Sequence, residues 1–289
     1  MRPAFLKNRR EIEGPAASLS AATGLSRLEV MHLRLAPGGR YRPAEGEEEF
    51  VFVLQGTPDL RVGDDLHRLG EGDGVAIPAI GGMSQDLIND TDDEVRLFVF
   101  GEGRREGGPQ EVPTPTAMRR GGRPDHVARW PDILKDAANR YPDSDEDQGI
   151  PAPFGRRARF SRIGIHVELL KPGRRTSYPH AERDEDEFVY VVSGAVEAWT
   201  DGHTTPMTEG DFIGWEAGTG ITHVILNNSG GDAVLLIGGE ASRVRNQYWY
   251  PFHPERNVAA GENYWADHPL PKLGPHDGLT DALRAKGRP

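Results

Sequence analysis

Cysteine is absent from this chain of 289 residues, so it can form no disulfide and offers no thiolate as nucleophile or metal ligand. Any metal must therefore be bound by histidine and carboxylate side chains. Apolar runs of the length that spans a membrane, about 18 residues, are also missing, so no membrane partner is expected. The start of the chain lacks the apolar stretch of a secretion signal, which predicts a cytoplasmic protein.

Positive charge is in the minority, with 34 lysine and arginine residues against 45 aspartate and glutamate residues. Binding to nucleic acid needs a basic face that displaces counterions from phosphate, so no nucleic-acid partner is expected. Glycine and proline are abundant, at 36 and 23 residues. Together with short segments rich in Val, Ile, Phe and Tyr, they are typical of an all-β sandwich or barrel with few helices.

The sequence repeats itself along the chain. Residues 25–38 align with residues 160–173, and after a three-residue insertion residues 49–56 align with residues 187–194. Shorter matches continue to the end of each copy, where Asn89 corresponds to Asn227. A coincidence of this length is very improbable, so we predict a duplicated domain, two copies of one β-barrel.

The repeat divides the chain into four parts, at residues 1–110, 111–159, 160–243 and 244–289. The first and third are the barrels, and the second is a connector in which Trp130 to Tyr141 has the apolar spacing of a short surface helix. The last part is Pro-rich and too aromatic to be disordered. We expect it to pack as a strap on a barrel or on a second subunit, or to close over a site as a lid.

Two stretches of the second copy, from Gly173 to Gly194 and from Gly210 to Asn227, resemble the paired motifs of the cupin superfamily. They depart from the family pattern in a longer first gap, in Glu182 for the second histidine, in Glu216 for the proline, and in two residues inserted before His223. The resemblance implies an all-β fold of two tandem cupin barrels (double-stranded β-helices, or jelly rolls) with a few short helices. Cupins include oxygenases, decarboxylases, isomerases, lyases and binding proteins, so the fold names no reaction.

By this resemblance the metal-binding positions of the second barrel are His180, Glu182, Glu187 and His223. The residues themselves agree, because His180 and Glu182 are two apart and share one face of a strand, while alternation points Glu187 inward with Val189. Unpaired charges buried there would be destabilising, and a divalent cation would remove that cost. The alternative is that the acidic side chains form a charged rim facing solvent.

The first copy differs at the same four positions, where it carries Arg42, Ala44, Glu49 and Gln85. Only Glu49 is a good metal ligand, so we predict no metal in the first barrel and a structural role for it. Alternatively, an Arg42 side chain that points into the barrel would bind an anion.

Three further residues are assigned from position alone. Tyr178 has the same strand parity as His180, so it is expected to face the cavity as a substrate contact. His166 lies on a predicted strand and is a third imidazole near the metal, a substrate contact, or an ordinary core or surface histidine. His32 matches no partner and is expected at the surface or in a turn.

The predicted cofactor is one divalent transition metal per chain, Fe2+, Mn2+, Ni2+ or Zn2+, because these ions accept nitrogen and oxygen ligands without sulfur. The predicted function is a metal-dependent bicupin enzyme acting on a small, oxygen-bearing substrate by oxygenase (dioxygenase), lyase or isomerase chemistry. Glu182 is either a ligand or the general base beside the metal. The alternatives are a non-catalytic cupin that binds a small molecule or metal, and a structural partner protein. A homodimer is expected, because edge strands need cover.

Overall fold

The computed structural model of the protein describes residues 5–12, 14–79, 85–102, 119–120, 122–241 and 246–287. The described residues group into two compact units. The N-terminal unit takes them from 9–133 and 153–165, and the C-terminal unit from 1–8, 134–152 and 166–289. The segment predicted as a connector therefore contributes residues to both units. The boundaries predicted after residues 110 and 243 lie outside the described residues.

Strands are the main regular elements of both units. In chain order they are β1 (Leu6–Asn8), β2 (Ala16–Ser18), β3 (Leu28–Leu35), β4 (Arg40–Tyr41), β5 (Glu49–Gln55), β6 (Asp59–Val62), β7 (Asp65–Arg68), β8 (Asp73–Ile77), β9 (Gln85–Ile88), β10 (Val95–Glu102), β11 (Arg119–Arg120) and β12 (Val127–Arg129). They continue with β13 (Ile150–Ala152), β14 (Ile163–Leu170), β15 (Ala181–Glu182), β16 (Glu187–Ser193), β17 (Ala195–Thr200), β18 (His203–Thr208), β19 (Asp211–Trp215), β20 (His223–Leu226), β21 (Ala233–Glu240) and β22 (Tyr248–Trp249).

Helices are short. The α-helices are α1 (Leu19–Thr23), α2 (Phe154–Ala158), α3 (Pro254–Ala260) and α4 (Asp281–Ala285), and 3-10 turns lie at Arg9–Glu11, Trp130–Ile133 and Gly261–Asn263. Within the described ranges, none of these helices has the length and apolar character needed to cross a membrane.

The N-terminal unit contains two sheets that share one apolar core. One sheet has the order β12-β8-β5-β10-β3-β2 and the other the order β11-β7-β6-β9-β4. Leu33 and Val51 of the first sheet lie in the same buried cluster as Leu60 and Leu87 of the second. The alternating side chains of the strands thus meet inside a barrel, as period-two patterning requires.

The C-terminal unit repeats this arrangement. Its sheets have the orders β1-β19-β16-β21-β14-β13 and β18-β17-β20, and β15 pairs with β22. Val189 and Val191 of β16 lie in one buried cluster with Ala198 of β17 and Ile225 of β20. The predicted fold class, two β-barrels with a few short helices, is confirmed.

The helix predicted from Trp130 to Tyr141 is wrong, because only the 3-10 turn Trp130–Ile133 forms. Beyond it the chain is extended and pairs with a later segment. The Asn139 N–H donates to the Gly149 carbonyl at 2.9 Å, and the Gln148 N–H donates to the Asn139 carbonyl at 3.0 Å. These long-range backbone bonds replace the helix that the local spacing favours, since propensity yields readily to tertiary context.

His32 is not at the surface, contrary to expectation. It lies on β3 opposite Ala17 of β2 and Phe98 of β10, and it is 5% exposed. Burial, with smaller contributions from the positive charges of Arg9 and Arg96, lowers the pKa of His32 from 6.5 to about 4. The ring is therefore neutral in the folded protein at neutral pH.

This lowered pKa predicts a pH dependence of stability. Between pH 6.5 and pH 4 the unfolded chain protonates His32 and the folded chain does not, so the free energy of unfolding should fall by about 3 kcal/mol. Above pH 6.5 this contribution is constant. His32→Leu should lose this part of the dependence in urea titrations at a series of pH values. Equal pH profiles for the two proteins would contradict the prediction.

Candidate metal centre

A single backbone pairing brings the two candidate histidines together. His180 immediately precedes β15 and His223 begins β20, and the two form an antiparallel bridge. The His180 N–H donates to the His223 carbonyl at 3.2 Å, and the His223 N–H donates to the His180 carbonyl at 2.9 Å. Directly opposed residues of an antiparallel pair project their side chains to the same face, and here the ring centroids lie 4.9 Å apart.

Each imidazole is oriented by the backbone two residues before it. Nδ1 of His180 lies 2.8 Å from the Tyr178 carbonyl, and Nδ1 of His223 lies 3.2 Å from the Ile221 carbonyl. A carbonyl oxygen only accepts, so each Nδ1 carries the hydrogen and each Nε2 of a neutral ring presents a lone pair. The Trp215 ring stacks on His223 with centroids 4.0 Å apart and fixes that ring further.

Glu187, the first residue of β16, completes a close group with these histidines. Its Oε2 lies 2.7 Å from Nε2 of His223 and 3.6 Å from Nε2 of His180. One ligand atom from each of the three residues lies within 4.8 Å of the others. Opposite Glu187 in the sheet, Gly239 allows close approach, because a Cβ there would lie 2.6 Å from the Asp186 carbonyl.

The chemistry of this donor set fits a divalent cation. Two lone-pair nitrogens and a carboxylate that face one another repel unless positive charge lies between them, either a proton or a metal. Metal-bound histidines in proteins characteristically donate their other N–H to a carbonyl or carboxylate, as both rings do here. The residues that would hold the ion are therefore His180, Glu187 and His223.

Glu182 lies at the edge of this group rather than within it. Its Oε1 is 3.7 Å from Nε2 of His180, and its Oε2 accepts a 2.8 Å hydrogen bond from the Asn246 side chain. Burial and the neighbouring Glu187 carboxylate raise the pKa of Glu182 well above its usual range. Burial opposes ionisation of Glu187 as well, but protonation of the two histidines at Nε2, which supplies hydrogen bonds and positive charge to the carboxylate, outweighs it and lowers the pKa of Glu187. The pKa values of the two carboxyl groups are thus shifted in opposite directions.

The group opens on a cavity of about 210 Å³ inside the C-terminal barrel. Besides the three candidate ligands, its apolar lining residues are Phe188, Val189, Trp215, Val224, Ile225 and Ile237, and its polar lining residues are Asn139, Tyr141, His166, Glu168, Thr176 and Ser177. The cavity therefore has a metal-candidate end, an apolar wall and a second polar region. His166, which the sequence left open, lies in this lining.

Tyr178 does not belong to the lining that the structure shows. Its ring stacks on His253 with centroids 3.7 Å apart and on Tyr141 with centroids 4.2 Å apart, and it is 5% exposed. The Arg175 guanidinium lies 4.7 Å from its ring centroid. Tyr178 thus supports Tyr141, which does line the cavity.

Several residues of the site were missed by the sequence reasoning. Asn139 and Tyr141 come from the extended segment that was predicted as a helix, so no local signal placed them in the barrel. Asn246 and Tyr250 come from the aromatic segment after the second barrel, and the Tyr250 ring lies 5.7 Å from that of His180. Glu168 could have been found, because it lies two residues after His166 on one strand.

In the first copy, the carboxylate of Glu49, which is equivalent to Glu187, has a different hydrogen-bond partner. The Glu49 side chain is fully buried and accepts a 2.6 Å hydrogen bond from the Tyr41 hydroxyl. Arg42 forms an ion pair with Asp86 at 2.6 Å. The Arg42 guanidinium, weighed from the sequence as an anion ligand, shares this carboxylate with the guanidinium of Arg61.

The profile of the cupin domain family matches the chain twice, at residues 31–101 and 166–238. Together with the two barrels, the duplicated match places the chain in the cupin superfamily as a bicupin, a protein with two cupin domains. No curated protein matches the chain by sequence.

Solved structures with this fold have low sequence identity to the chain. A single-residue variant of oxalate decarboxylase from Bacillus subtilis is 14% identical, covers 92% of this chain and 86% of its own, and has a TM-score of 0.59. Salicylate 1,2-dioxygenase from Pseudaminobacter salicylatoxidans is 16% identical, covers 75% and 72%, and has a TM-score of 0.54. A putative glyoxylate-induced protein from Pseudomonas aeruginosa is 17% identical, covers 76% and 77%, and has a TM-score of 0.56. At such identities the likeness establishes the fold alone.

A buried ion pair anchors the segment that carries Tyr141. Arg175, 1% exposed, donates from Nε and Nη2 to the two carboxylate oxygens of Glu146 at 2.6 and 2.8 Å. Its Nη1 donates to the Gly278 carbonyl at 3.0 Å. The bidentate ion pair and the bond to Gly278 together connect three chain segments beside the site.

Removing one partner should therefore be strongly destabilising. Glu146→Ala leaves the buried Arg175 guanidinium unpaired and should lower the free energy of unfolding by about 3 to 5 kcal/mol. The matched control is Asp232→Ala, which breaks the exposed pair between Lys171 and Asp232 and should cost less than about 1 kcal/mol. Urea denaturation measures both. Similar losses for the two variants would contradict this account of Arg175.

Proposed function

We propose that the protein is a metal-dependent bicupin enzyme whose C-terminal barrel holds one divalent transition metal and acts on a small organic substrate. The observation that carries the proposal is the convergence of two backbone-oriented Nε2 atoms and one carboxylate oxygen on a cavity. Two histidines and one carboxylate are the donor set of many non-haem iron(II) oxygenases, and manganese(II), nickel(II) and zinc(II) accept nitrogen and oxygen donors too.

Solved structures with a similar fold support metal chemistry but do not indicate which reaction the protein catalyses. One solved structure in this group, 15% identical with a TM-score of 0.57, concerns Mn(II) centres in an oxalate decarboxylase, and another is a dioxygenase. Among the predicted reaction classes, we propose oxygenase chemistry first and lyase or isomerase chemistry second.

Within this proposal the side chains have separate tasks. A bound divalent metal supplies a Lewis acid or a template for dioxygen. His180, Glu187 and His223 would hold the metal. Trp215 stacks on the His223 ring and keeps it in place, and the apolar wall of the cavity excludes water. Glu182 is either a fourth ligand or the general base. Its Oε2 accepts a hydrogen bond from Asn246, so Oε1, which lies on the side of His180, is the oxygen that would perform either role.

Metal content tests the site directly. His180→Ala and His223→Ala each remove one of three convergent donors, so both should lose at least about tenfold in bound metal by plasma spectrometry. Glu187→Gln should behave in the same way. All three should keep the β-rich circular dichroism spectrum of the native protein, because the barrel core remains in place.

Gln85→His in the first copy is the matched control. It places an imidazole at the position equivalent to His223, but Glu49 is bound by Tyr41, so no additional metal is expected. Undiminished metal in both histidine variants would show that the site is misplaced. A native protein that takes up none of the four ions would overturn the enzyme proposal and leave a non-catalytic cupin.

The homodimer also belongs to the proposal, with sheet edges that need cover as its support. Light scattering at micromolar concentration should give twice the chain mass of 31.8 kDa. A particle of 31.8 kDa would contradict it. The cytoplasmic location stays a prediction from the sequence.

A further inference from the structure

The polar region of the cavity contains a buried carboxylate with one oxygen that lacks a hydrogen-bond partner among the described residues. His166 and Glu168 lie two residues apart on β14, on the same face as Leu170 of the barrel core. Oε2 of Glu168 lies 3.3 Å from Nε2 of His166. Oε1 is buried and has no hydrogen-bond partner among the described residues, and Glu168 as a whole is 2% exposed.

Glu168 differs from most other buried groups with an unpartnered atom in that it lines the cavity beside the metal-candidate group, which favours a ligand as its donor. Leaving a buried acceptor without a donor costs about 1 to 3 kcal/mol, and more for a charged group. A carboxylate oxygen accepts hydrogen bonds, and a positively charged N–H group is its strongest partner. A ligand that donates a hydrogen bond to Oε1 of Glu168 would therefore carry N–H groups.

The carboxylate is also held in position. Gly149 lies directly against it, and a Cβ at this glycine would lie 2.1 Å from Oε1 of Glu168. The Gly149 carbonyl is in turn fixed by the N–H of Asn139, another cavity residue. The backbone thus closes one side of Glu168, and His166 closes another.

Glu168 and the metal-candidate group lie at different places of one cavity. Strand β21 separates β14, which carries Glu168, from β16, which carries Glu187, so the two lie two strand spacings apart, about 10 Å along the sheet. With a divalent ion, the Glu187 group has a net positive charge, while an ionised Glu168 carries a negative charge. The two ends therefore suit a ligand with charges of opposite sign.

We infer that Glu168, oriented by His166, binds a protonated amino group of the substrate. This inference rests on the proposed function for the other end of the cavity. The substrate class is a small amino acid whose carboxylate or other anionic oxygen lies at the metal end and whose ammonium group donates to Oε1 of Glu168.

The Glu168 end can be tested without metal. Chelator-treated protein should bind butylammonium at least about tenfold more tightly than butan-1-ol in calorimetric titration, since a hydrogen bond to a charged group is worth about 1.5 kcal/mol or more. In Glu168→Gln this preference should fall to within about threefold, because the variant keeps shape and loses charge. Glu216→Gln, a change at an exposed residue of the same barrel, should keep the preference.

The opposite results are equally clear. Equal binding of the amine and the alcohol by the native protein, no saturable binding of the amine, or an unchanged preference in Glu168→Gln would each overturn the inference. Circular dichroism of Glu168→Gln establishes that the variant is folded, and His166→Gln provides a second variant that should weaken the preference by loosening the carboxylate.

Metal-loaded protein then separates this inference from the proposed function. It should prefer 4-aminobutyrate to pentanoate, which has the same shape without the charge, and Glu168→Gln should remove the preference. If metal loading does not tighten 4-aminobutyrate while the butylammonium preference persists, the metal proposal fails and the Glu168 site stands.

Discussion

The bridge between His180 and His223 is the interaction on which the candidate centre depends. Two reciprocal backbone hydrogen bonds place the imidazoles side by side, and each ring is then oriented by a carbonyl of its own strand. Neither step relies on a long, flexible side chain. The geometry of the nitrogen donors is therefore a property of the sheet, and it persists as long as the barrel is folded.

This dependence explains why departures from the cupin pattern leave the site intact. The two inserted residues before His223 fall in the turn between β19 and β20, where Gly218 and Gly220 have φ values of 76° and 73°. Such left-handed positions favour glycine, so the longer turn is accommodated locally. The chain re-enters β20 with His223 still opposite His180.

The sequence predicted the features that depend on period-two alternation and on the repeat. Glu187 and Val189 share an inward face, and both barrels form as expected. It did not predict that Asn139 and Tyr141 reach the cavity, because their placement depends on pairing with residues near Gly149 rather than on local spacing. The Tyr178 ring likewise packs against aromatic residues distant in the sequence, which strand parity alone could not indicate.

The two copies show how one buried carboxylate can be satisfied in two ways. In the first barrel Glu49 receives a phenolic O–H from Tyr41, a donor supplied by the chain itself. In the second, Glu187 faces two imidazoles whose N–H groups are already committed to carbonyl oxygens, so both present lone pairs. The balancing charge must then come from a proton or a cation rather than from another side chain of the group. The second carboxylate, which faces two imidazoles instead of a phenolic donor, is thus available to a metal, while the first copy has the same fold without that donor set.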